Sequence, residues 1–153
     1  MNLELKHLAP YLPYRLKYSV FNKKGKLDLL EIGTNNIYNI ITAVNKGVYG
    51  GEYKPILRPL SDLIKVINID GDSFIPIYLL KNIRNEFESD LSFGFEPQSN
   101  GYTCHCSSQY LEFSEYYEIN SKLFEWHFDV FGLIEKGLAI DINTIFRILR
   151  NEQ

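Results

Sequence analysis

LEFSEYYEINSKLFEWHFDVFGLIEKG, residues 111–137, holds the only tryptophan of the chain and a run of aromatic residues at helical spacing. One stripe of this segment is apolar and consists of Ile119, Leu123, Trp126, Val130, Leu133 and Ile134. Because residues three and four apart share one face of a helix, the pattern predicts a long amphipathic helix that ends at Gly137. We assign its aromatic residues to the hydrophobic core, and Glu125 and Asp129 to the solvated side.

The chain before this helix predicts a small antiparallel sheet. Residues 1–14 are limited by two prolines to a short helix or turn. Residues 15–21 alternate between apolar and polar side chains, and residues 27–33 follow as the returning strand of a hairpin. Residues 35–44 are rich in β-branched side chains, which favours a third strand of the meander over the alternative, a short helix.

Shorter helices are predicted in the centre of the sequence. Apolar residues at helical spacing predict one helix at about residues 59–68 and another at about residues 76–88, with an Asp-Gly turn between them. Residues 89–103 are predicted to be a loop or an irregular hairpin, and residues 104–111 either a strand or the lead into the long helix. After the long helix, a short apolar segment precedes a last helical turn.

Together these elements predict an α+β fold. A small antiparallel sheet, formed by the N-terminal meander, packs against the long C-terminal amphipathic helix and the shorter helices. The 153 residues, 45% of them hydrophobic, suffice for one core, so a single domain spanning residues 1–153 is expected. Neither a charged and apolar leader nor an apolar run of about 18 residues is visible, which predicts a cytoplasmic protein without membrane contact.

The charge of the chain is slightly acidic and unevenly distributed. A formal net charge of −3 argues against a protein that binds nucleic acid through bulk charge. Lysine and arginine are nonetheless concentrated in residues 1–65, whereas residues 86–118 are acidic. Each half is therefore suited to a partner of the opposite charge.

Three groupings of reactive side chains match catalytic or metal sites only in part. The Cys-His-Cys triplet Cys104–Cys106 lacks the spacing and the fourth ligand of a zinc site, so we expect free thiols and no metal. A cysteine nucleophile with His127 as base lacks an orienting carboxylate, because Asp129 faces another side of the predicted helix. The carboxylate pair of Glu125 and Asp129 is expected to be solvated. The prediction is a protein without a cofactor that is not an enzyme.

Loop tyrosines and nearby cations form the strongest functional signal. Tyrosine and arginine are enriched at interface hot spots, and aromatic rings also stack on RNA bases. The basic N-terminal hairpin and the loops beside two proline-containing segments supply such residues. The predicted binding residues are Tyr11, Tyr14, Arg15, Lys17, Lys23, Lys24, Tyr49, Tyr53, Lys54 and Arg58.

Three blocks of the sequence resemble small uncharacterised proteins of phages and mobile elements of Bacteroidota. They are LAPYLPYRLK (residues 8–17), EYKPILRPLSDL (residues 52–63) and FEWHFDVFGLIEKGLAIDIN (residues 124–143). The resemblance covers under a third of the chain and brings no catalytic residues with it. It implies an accessory protein that acts by binding.

Two functions follow from this resemblance as hypotheses. The first is a non-enzymatic inhibitor of an RNA-guided nuclease, in the manner of anti-CRISPR proteins, whose partner is a host protein or ribonucleoprotein. The second is a nucleic-acid-binding accessory protein of phage replication or RNA handling, which uses the basic hairpin. Strong, salt-dependent retention of RNA or DNA distinguishes the second from the first.

Overall fold

The computed structural model describes residues 1–21, 27–47, 53–83, 94–98, 101–105 and 113–151. Its elements, in chain order, are α1 (Leu5–Leu8), an N-terminal 3-10 helix (Ala9–Tyr14), β1 (Lys17–Phe21), β2 (Leu27–Glu31), α2 (Ile37–Lys46), β3 (Lys54–Leu57), a central 3-10 helix (Leu60–Ile64), β4 (Ile67–Ile69), β5 (Asp72–Phe74), α3 (Pro76–Ile83), β6 (Gly94–Gln98), β7 (Gly101–His105), α4 (Phe113–Glu125), β8 (Ile140–Asp141) and α5 (Ile142–Asn151). Helices combine with a mostly antiparallel sheet, so the predicted α+β class is confirmed.

Four of these strands form one mixed sheet in the order β2-β1-β3-β8. β1 runs antiparallel to β2 and to β3, and β3 pairs in parallel with the short strand β8. The predicted hairpin of β1 and β2 is therefore confirmed, with Lys17 opposite Glu31 and Tyr18 opposite Leu30. Two separate hairpins, β4–β5 and β6–β7, account for the other described strands.

Residues 35–44, predicted as the third strand, form most of helix α2 instead. Ile37, Ile40 and Ala43 are buried at intervals of three residues, which is the spacing of one helix face. Gly47, in the left-handed conformation at φ +59°, ends the helix. The strand prediction is wrong because helical periodicity and burial outweigh the weak strand preference of β-branched residues. The sheet takes its third strand from β3, a segment expected to be a connector.

The long helix predicted for residues 111–137 is shorter in the structure, where it stops at the end of α4. The chain leaves α4 through a Schellman motif, in which the amide of His127 donates to the carbonyl of Phe124 and the amide of Phe128 to that of Leu123. His127 takes the left-handed position, at φ +58°, that glycine usually occupies. No glycine marks this end in the sequence, so the apolar stripe was read as continuous.

A separate helical turn follows within residues 126–139. Both carboxylate oxygens of Asp129 accept backbone hydrogen bonds, one from Leu133 and one from Ile134, each of 2.8 Å. Asp129 is 3% exposed, so its predicted position on a solvated helix face is wrong. Gly137, at φ +69°, ends this turn rather than the long helix.

The two predicted central helices differ from the structure in extent. Residues 59–68 hold only the central 3-10 helix before the chain extends into β4, and Ile64, at 73% exposure, does not join the core. The Asp-Gly turn is confirmed, because Asp70 and Gly71, both at positive φ, join β4 to β5. Helix α3 confirms the first part of the helix predicted at residues 76–88.

Two further predicted segments are described only in part. The hairpin β6–β7 agrees with the irregular-hairpin alternative for residues 89–103 and with the strand alternative at the start of residues 104–111. Residues 84–93, 99–100 and 106–112 lie outside the described ranges. Beyond the helical turns, the short apolar segment forms β8, and the predicted last turn is the longer helix α5.

Three groups of buried side chains hold these elements together. The first, which includes Tyr18, lies between α2 and one face of the sheet. The second surrounds α4 and contains Trp126 and Phe128, which are 6% and 0% exposed, so their predicted place in the core is confirmed. Val130 packs against both groups. The third group joins α5 to the sheet and includes Leu27, Ile56 and Ile145.

Candidate binding surface

The antiparallel pairing of the sheet brings three of the predicted cations to one of its faces. Alternate residues of a strand share a face, so Lys17 lies on the same side as Ser19. Lys54 stands directly opposite Ser19 across the β1–β3 pair and shares that side. Arg15, just before β1, forms a 3.0 Å ion pair with Glu31, the residue opposite Lys17. We call Arg15, Lys17 and Lys54 the basic face.

The basic face is accessible only in part, because α5 packs against Leu27 and Ile56 on the same side of the sheet, and Ser19, between Lys17 and Lys54, is 2% exposed. Arg15 and Lys17 are exposed, and Lys54 is half-buried. The Arg15 side chain is 80% accessible, so its ion pair with Glu31 stabilises the protein by less than about 1 kcal/mol. An anionic partner can therefore replace Glu31 beside Arg15 at little cost.

The backbone before β1 is held in place from the end of α4. Nε2 of His127 lies 2.7 Å from the carbonyl oxygen of Tyr14, and because a carbonyl can only accept, Nε2 carries the hydrogen. Arg15 then adopts the left-handed conformation, φ +58°, at the end of the N-terminal 3-10 helix. Tyr14 is half-buried beside the basic face. This hydrogen bond fixes the path of the chain before β1 and therefore the backbone position of Arg15.

Tyr53 belongs to the other side of the sheet. Its ring lies nearly parallel to that of Tyr18, with 6.0 Å between the ring centroids and 20° between the planes. Tyr18 follows Lys17 in β1, so its side chain points away from the basic face. Burial, and secondarily the neighbouring Tyr53, raises the pKa of Tyr18 above its usual value. The structure therefore separates Tyr53 from the cations with which it was grouped.

Tyr11 is buried in the core, so it does not offer the exposed ring expected of a contact residue. It is 0% exposed, and its hydroxyl donates a 2.6 Å hydrogen bond to the carbonyl of Phe128. Burial, with the charge of Asp129 as a smaller cause, raises the pKa of Tyr11 well above its ordinary value. The proline-rich 3-10 helix turns this ring inward, which sequence spacing did not reveal.

Arg58 is also buried, at 7% exposure, and therefore is not a surface contact. Its Nη1 lies 3.8 Å from the Asp62 carboxylate, and its Nε has no hydrogen-bond partner among the described residues. Asp62 accepts further hydrogen bonds of 2.6 Å from Lys65 and 2.8 Å from Asn143. Arg58 thus takes part in a buried polar cluster that ties β3 and the central 3-10 helix to α5.

The remaining predicted contacts and the cysteine triplet are not fully described. Lys23, Lys24, Tyr49 and Cys106 lie outside the described residues. The residue ranges that the structure covers contain no group of three or more His, Cys, Asp or Glu side chains that could hold a metal ion.

His127, Asp129 and Glu125, the side chains considered above for catalysis, have other contacts in the structure. His127 is bound to the Tyr14 carbonyl, and burial lowers its pKa despite that hydrogen bond. Burial also raises the pKa of Asp129, whose oxygens are occupied by backbone amides. Glu125, the other carboxylate of the predicted pair, forms a 2.8 Å ion pair with Lys122. His127 and Asp129 therefore shape the chain after α4.

A groove on the Tyr18 side of the sheet was missed by sequence reasoning. It lies between α2 and the sheet and is lined by residues that include Tyr18, Tyr53 and Lys46. The alternation of β1 predicts that Tyr18 lies on a buried face. The other wall of the groove was missed because residues 35–44, which form most of helix α2, were predicted to be a strand.

Comparison with known proteins identifies no relative, because no protein-family model, curated protein or solved structure matches the chain. Within the described residues, no helix is both long and apolar enough to cross a membrane.

Proposed function

We propose that this protein acts by binding, without catalysis, as an accessory protein of a phage or mobile element that inhibits an RNA-guided nuclease. The observation that carries the proposal is the position of Arg15, Lys17 and Lys54 on one side of the sheet, where Arg15 and Lys17 are exposed and Lys54 is half-buried. The resemblance of three sequence blocks to proteins of phages and mobile elements supplies the biological context. A target of this kind places the protein in the host cytoplasm.

The basic face suits the phosphates of a guide RNA held by a nuclease. The Arg15 guanidinium offers a planar fork of donors that matches a phosphate, and the lysines add point charges beside it. Because the net charge of the chain is −3, bulk attraction to phosphate is weak, and binding depends on local groups of cations such as this face. Such a local charge favours a defined docking site on a ribonucleoprotein over general adhesion to nucleic acid.

The first experiment is a pull-down from host lysate with the full chain as bait, followed by mass spectrometry and by sequencing of bound nucleic acid. A captured nuclease is then purified with its guide, and its cleavage of target DNA is measured with and without the protein. We expect a stable complex and a loss of cleavage at stoichiometric amounts. Absence of an RNA-guided nuclease from the captured proteins would contradict the proposal.

A charge-reversal variant tests the assigned surface. Arg15→Glu/Lys17→Glu should weaken inhibition at least tenfold, because both substitutions place negative charge against the phosphates. Lys81→Glu/Arg150→Glu changes the net charge equally at positions outside the basic face and serves as the matched control. Equal inhibition by the two variants would exclude the basic face as the contact surface.

The same convergence of cations favours a second candidate, an accessory protein that binds free nucleic acid. Three phosphate contacts predict that the logarithm of the binding constant falls with the logarithm of salt concentration with a slope of about −2 to −3. The slope is measured by fluorescence anisotropy with a labelled single-stranded RNA. Tight binding with that slope, without capture of a nuclease, would favour this candidate over the inhibitor.

A further inference from the structure

An open groove lies between α2 and the face of the sheet opposite the basic face. Its volume is about 570 Å³. Tyr18 and Tyr53 line it on the side of the sheet, and Ile40 lines it on the side of α2. Ligand sites for small molecules usually have volumes of about 300 to 1,000 Å³ and combine apolar walls with a few polar groups. The volume of the groove lies within this range, and its lining is divided about equally between polar and apolar side chains.

The aromatic part of the groove is fixed by packing. Tyr18 is 7% exposed and belongs to the main hydrophobic core, and Tyr53 is packed against the same core. Ile40 is buried from the opposite wall, at 2% exposure. Tyr18 and Ile40 are almost fully buried, so a flat ring placed here meets mainly the half-buried Tyr53, whose packing against the core lowers the entropy cost of binding.

The rim of the groove is polar along one edge of α2. Asn39, Thr42 and Lys46 line it at successive intervals of three and four residues, so they form one stripe of the helix. All three are exposed. A helix rises 1.5 Å per residue, so the Cα atoms of Asn39 and Lys46 are about 10 Å apart along its axis. The stripe therefore offers an amide at one end, a hydroxyl in the middle and a cation at the other end.

From this arrangement we infer that the groove is a binding site for a nucleoside monophosphate. The base lies against Tyr18 and Tyr53, and the Asn39 amide, which both donates and accepts hydrogen bonds, pairs with the edge of the base. The Thr42 hydroxyl faces the sugar, and the Lys46 ammonium pairs with the phosphate. The distance along the stripe matches the length of such a ligand from the base edge to the phosphate.

The charge at the Lys46 end of the groove favours an anion despite the helix terminus nearby. Gly47 ends α2, and the C-terminus of a helix carries the equivalent of about half a negative charge. Lys46, the last residue of α2, carries a full positive charge on an exposed side chain. The sum of the two is positive, so the phosphate is attracted to this end of the groove.

The inferred site is independent of the proposed inhibitor function. Tyr18 and Lys17 are consecutive residues of β1, so the groove and the basic face lie on opposite sides of the same strand. Binding of a mononucleotide needs none of the three cations of the basic face. A failure of either proposal therefore leaves the other to be judged by its own measurements.

Isothermal titration calorimetry of the full chain tests the site with four probes. AMP and UMP should bind, whereas adenosine, which lacks the phosphate, and ribose 5-phosphate, which lacks the base, should bind at least tenfold more weakly. Two variants check the location: Lys46→Gln removes the cation, and Thr42→Trp fills the groove from an exposed helix position. Each should weaken the binding of AMP and UMP about tenfold or more.

Two control variants separate the site from general effects of charge and helix stability. Lys81→Gln removes the same charge elsewhere, and Tyr38→Ser alters an α2 residue, 65% exposed, that does not line the groove. Both should bind the nucleotides as the unaltered protein does. The inference is overturned if neither AMP nor UMP binds at millimolar concentration, or if either groove variant binds them with unchanged affinity.

Discussion

At the scale of single residues, the hydroxyl of Tyr11 makes a buried hydrogen bond between distant parts of the chain. It is wholly buried and donates to the Phe128 carbonyl, which lies in the chain just after α4. The bond joins residues that are 117 positions apart in the sequence. The Phe128 carbonyl also accepts a 3.0 Å hydrogen bond from the Val130 amide, so the Tyr11 hydroxyl is one of two donors to this buried oxygen.

Replacement of this hydroxyl should therefore destabilise the protein measurably. We expect Tyr11→Phe to lower the free energy of unfolding by about 0.5 to 1.5 kcal/mol, because the Phe128 carbonyl loses one of its two donors while the Val130 amide still donates to it and the ring still packs. Tyr38→Phe, at a residue that is 65% exposed, should change it by less than about 0.5 kcal/mol. Urea unfolding followed by circular dichroism gives both values. Similar values for the two variants would mean that the Tyr11 bond contributes little.

Two histidines have environments that resist protonation. Nδ1 of His7 accepts a 3.0 Å hydrogen bond from the amide of Glu4, so protonation of that nitrogen breaks the bond. Burial is the largest cause that lowers the pKa of His7, and it is also the largest cause for His127. In both cases the folded protein binds a proton less readily than the unfolded chain does.

The stability of the protein should therefore fall as the pH is lowered from 7.5 to 5.5. The unfolded chain takes up protons below the ordinary histidine pKa of 6.5, where the folded state still resists them, so protonation favours unfolding. At pH 5.5 this loss reaches at most about 1.4 kcal/mol for each histidine. Urea unfolding across this range measures it. His127→Asn keeps a side chain that tolerates the left-handed conformation and should flatten the dependence; an unchanged pH profile in this variant would contradict the assignment.

At the scale of elements, the buried cluster around Asp62 connects segments that are distant in sequence. Asp62 in the central 3-10 helix faces Arg58, which follows β3, and accepts a hydrogen bond from Asn143 in α5. Burial lowers the pKa of Arg58, while Asp62 and Asp141 act in the opposite direction. The cluster is therefore a set of buried charges that depend on one another.

Removal of one charge from this cluster should lower the free energy of unfolding more than removal of two. Asp62→Ala leaves the Arg58 charge buried without its nearest carboxylate and should lower the free energy of unfolding by about 3 to 5 kcal/mol. The double variant Arg58→Met/Asp62→Ala should be more stable than Asp62→Ala alone, because the buried Arg58 charge is also removed and Lys65, which loses its partner in both variants, is exposed.

Chemical denaturation of the single and double variants supplies the comparison, with Asp72→Ala, at an exposed residue of β5, as the control. The control should lie within about 0.5 kcal/mol of the unaltered protein. A double variant no more stable than Asp62→Ala would show that Arg58 is not held by that carboxylate.

Elements with a local signal were predictable from the sequence. The alternation of β1 and the Asp70-Gly71 turn were identified correctly, because a strand face and a two-residue turn depend on adjacent residues. Helix α2 was mistaken for a strand, since its Ile-rich pattern fits both periods and only packing against the sheet decides between them. The end of α4 was missed because His127, rather than glycine, occupies the left-handed position.

The binding surface was predictable only in part, because its residues are brought together by strand register. Lys17 and Lys54 were both selected from the sequence, but their shared face depends on the pairing of β1 with β3. Arg58, four residues after Lys54, differs from it only in being buried by α5 and the chain after α4. Composition marks all three as cations and contains no information on which of them faces water.

At the scale of the whole molecule, the sheet separates two surfaces of different chemistry. The basic face carries charges exposed to solvent, whereas the groove combines aromatic walls with a single cation, Lys46. Strand β1 contributes to both through consecutive residues, Lys17 and Tyr18.

This separation predicts that the two binding activities can be removed one at a time. Arg15→Glu/Lys17→Glu should lose inhibition of the nuclease but retain its affinity for AMP within about threefold, because at 0.15 M salt charges farther apart than about 8 Å are largely screened. Lys46→Gln should show the reverse pattern. Calorimetry with AMP and the cleavage assay, performed on the same preparations, compare the two variants directly. If either variant loses both activities while its urea midpoint is unchanged, the two surfaces form one site and the separation by the sheet is not functional.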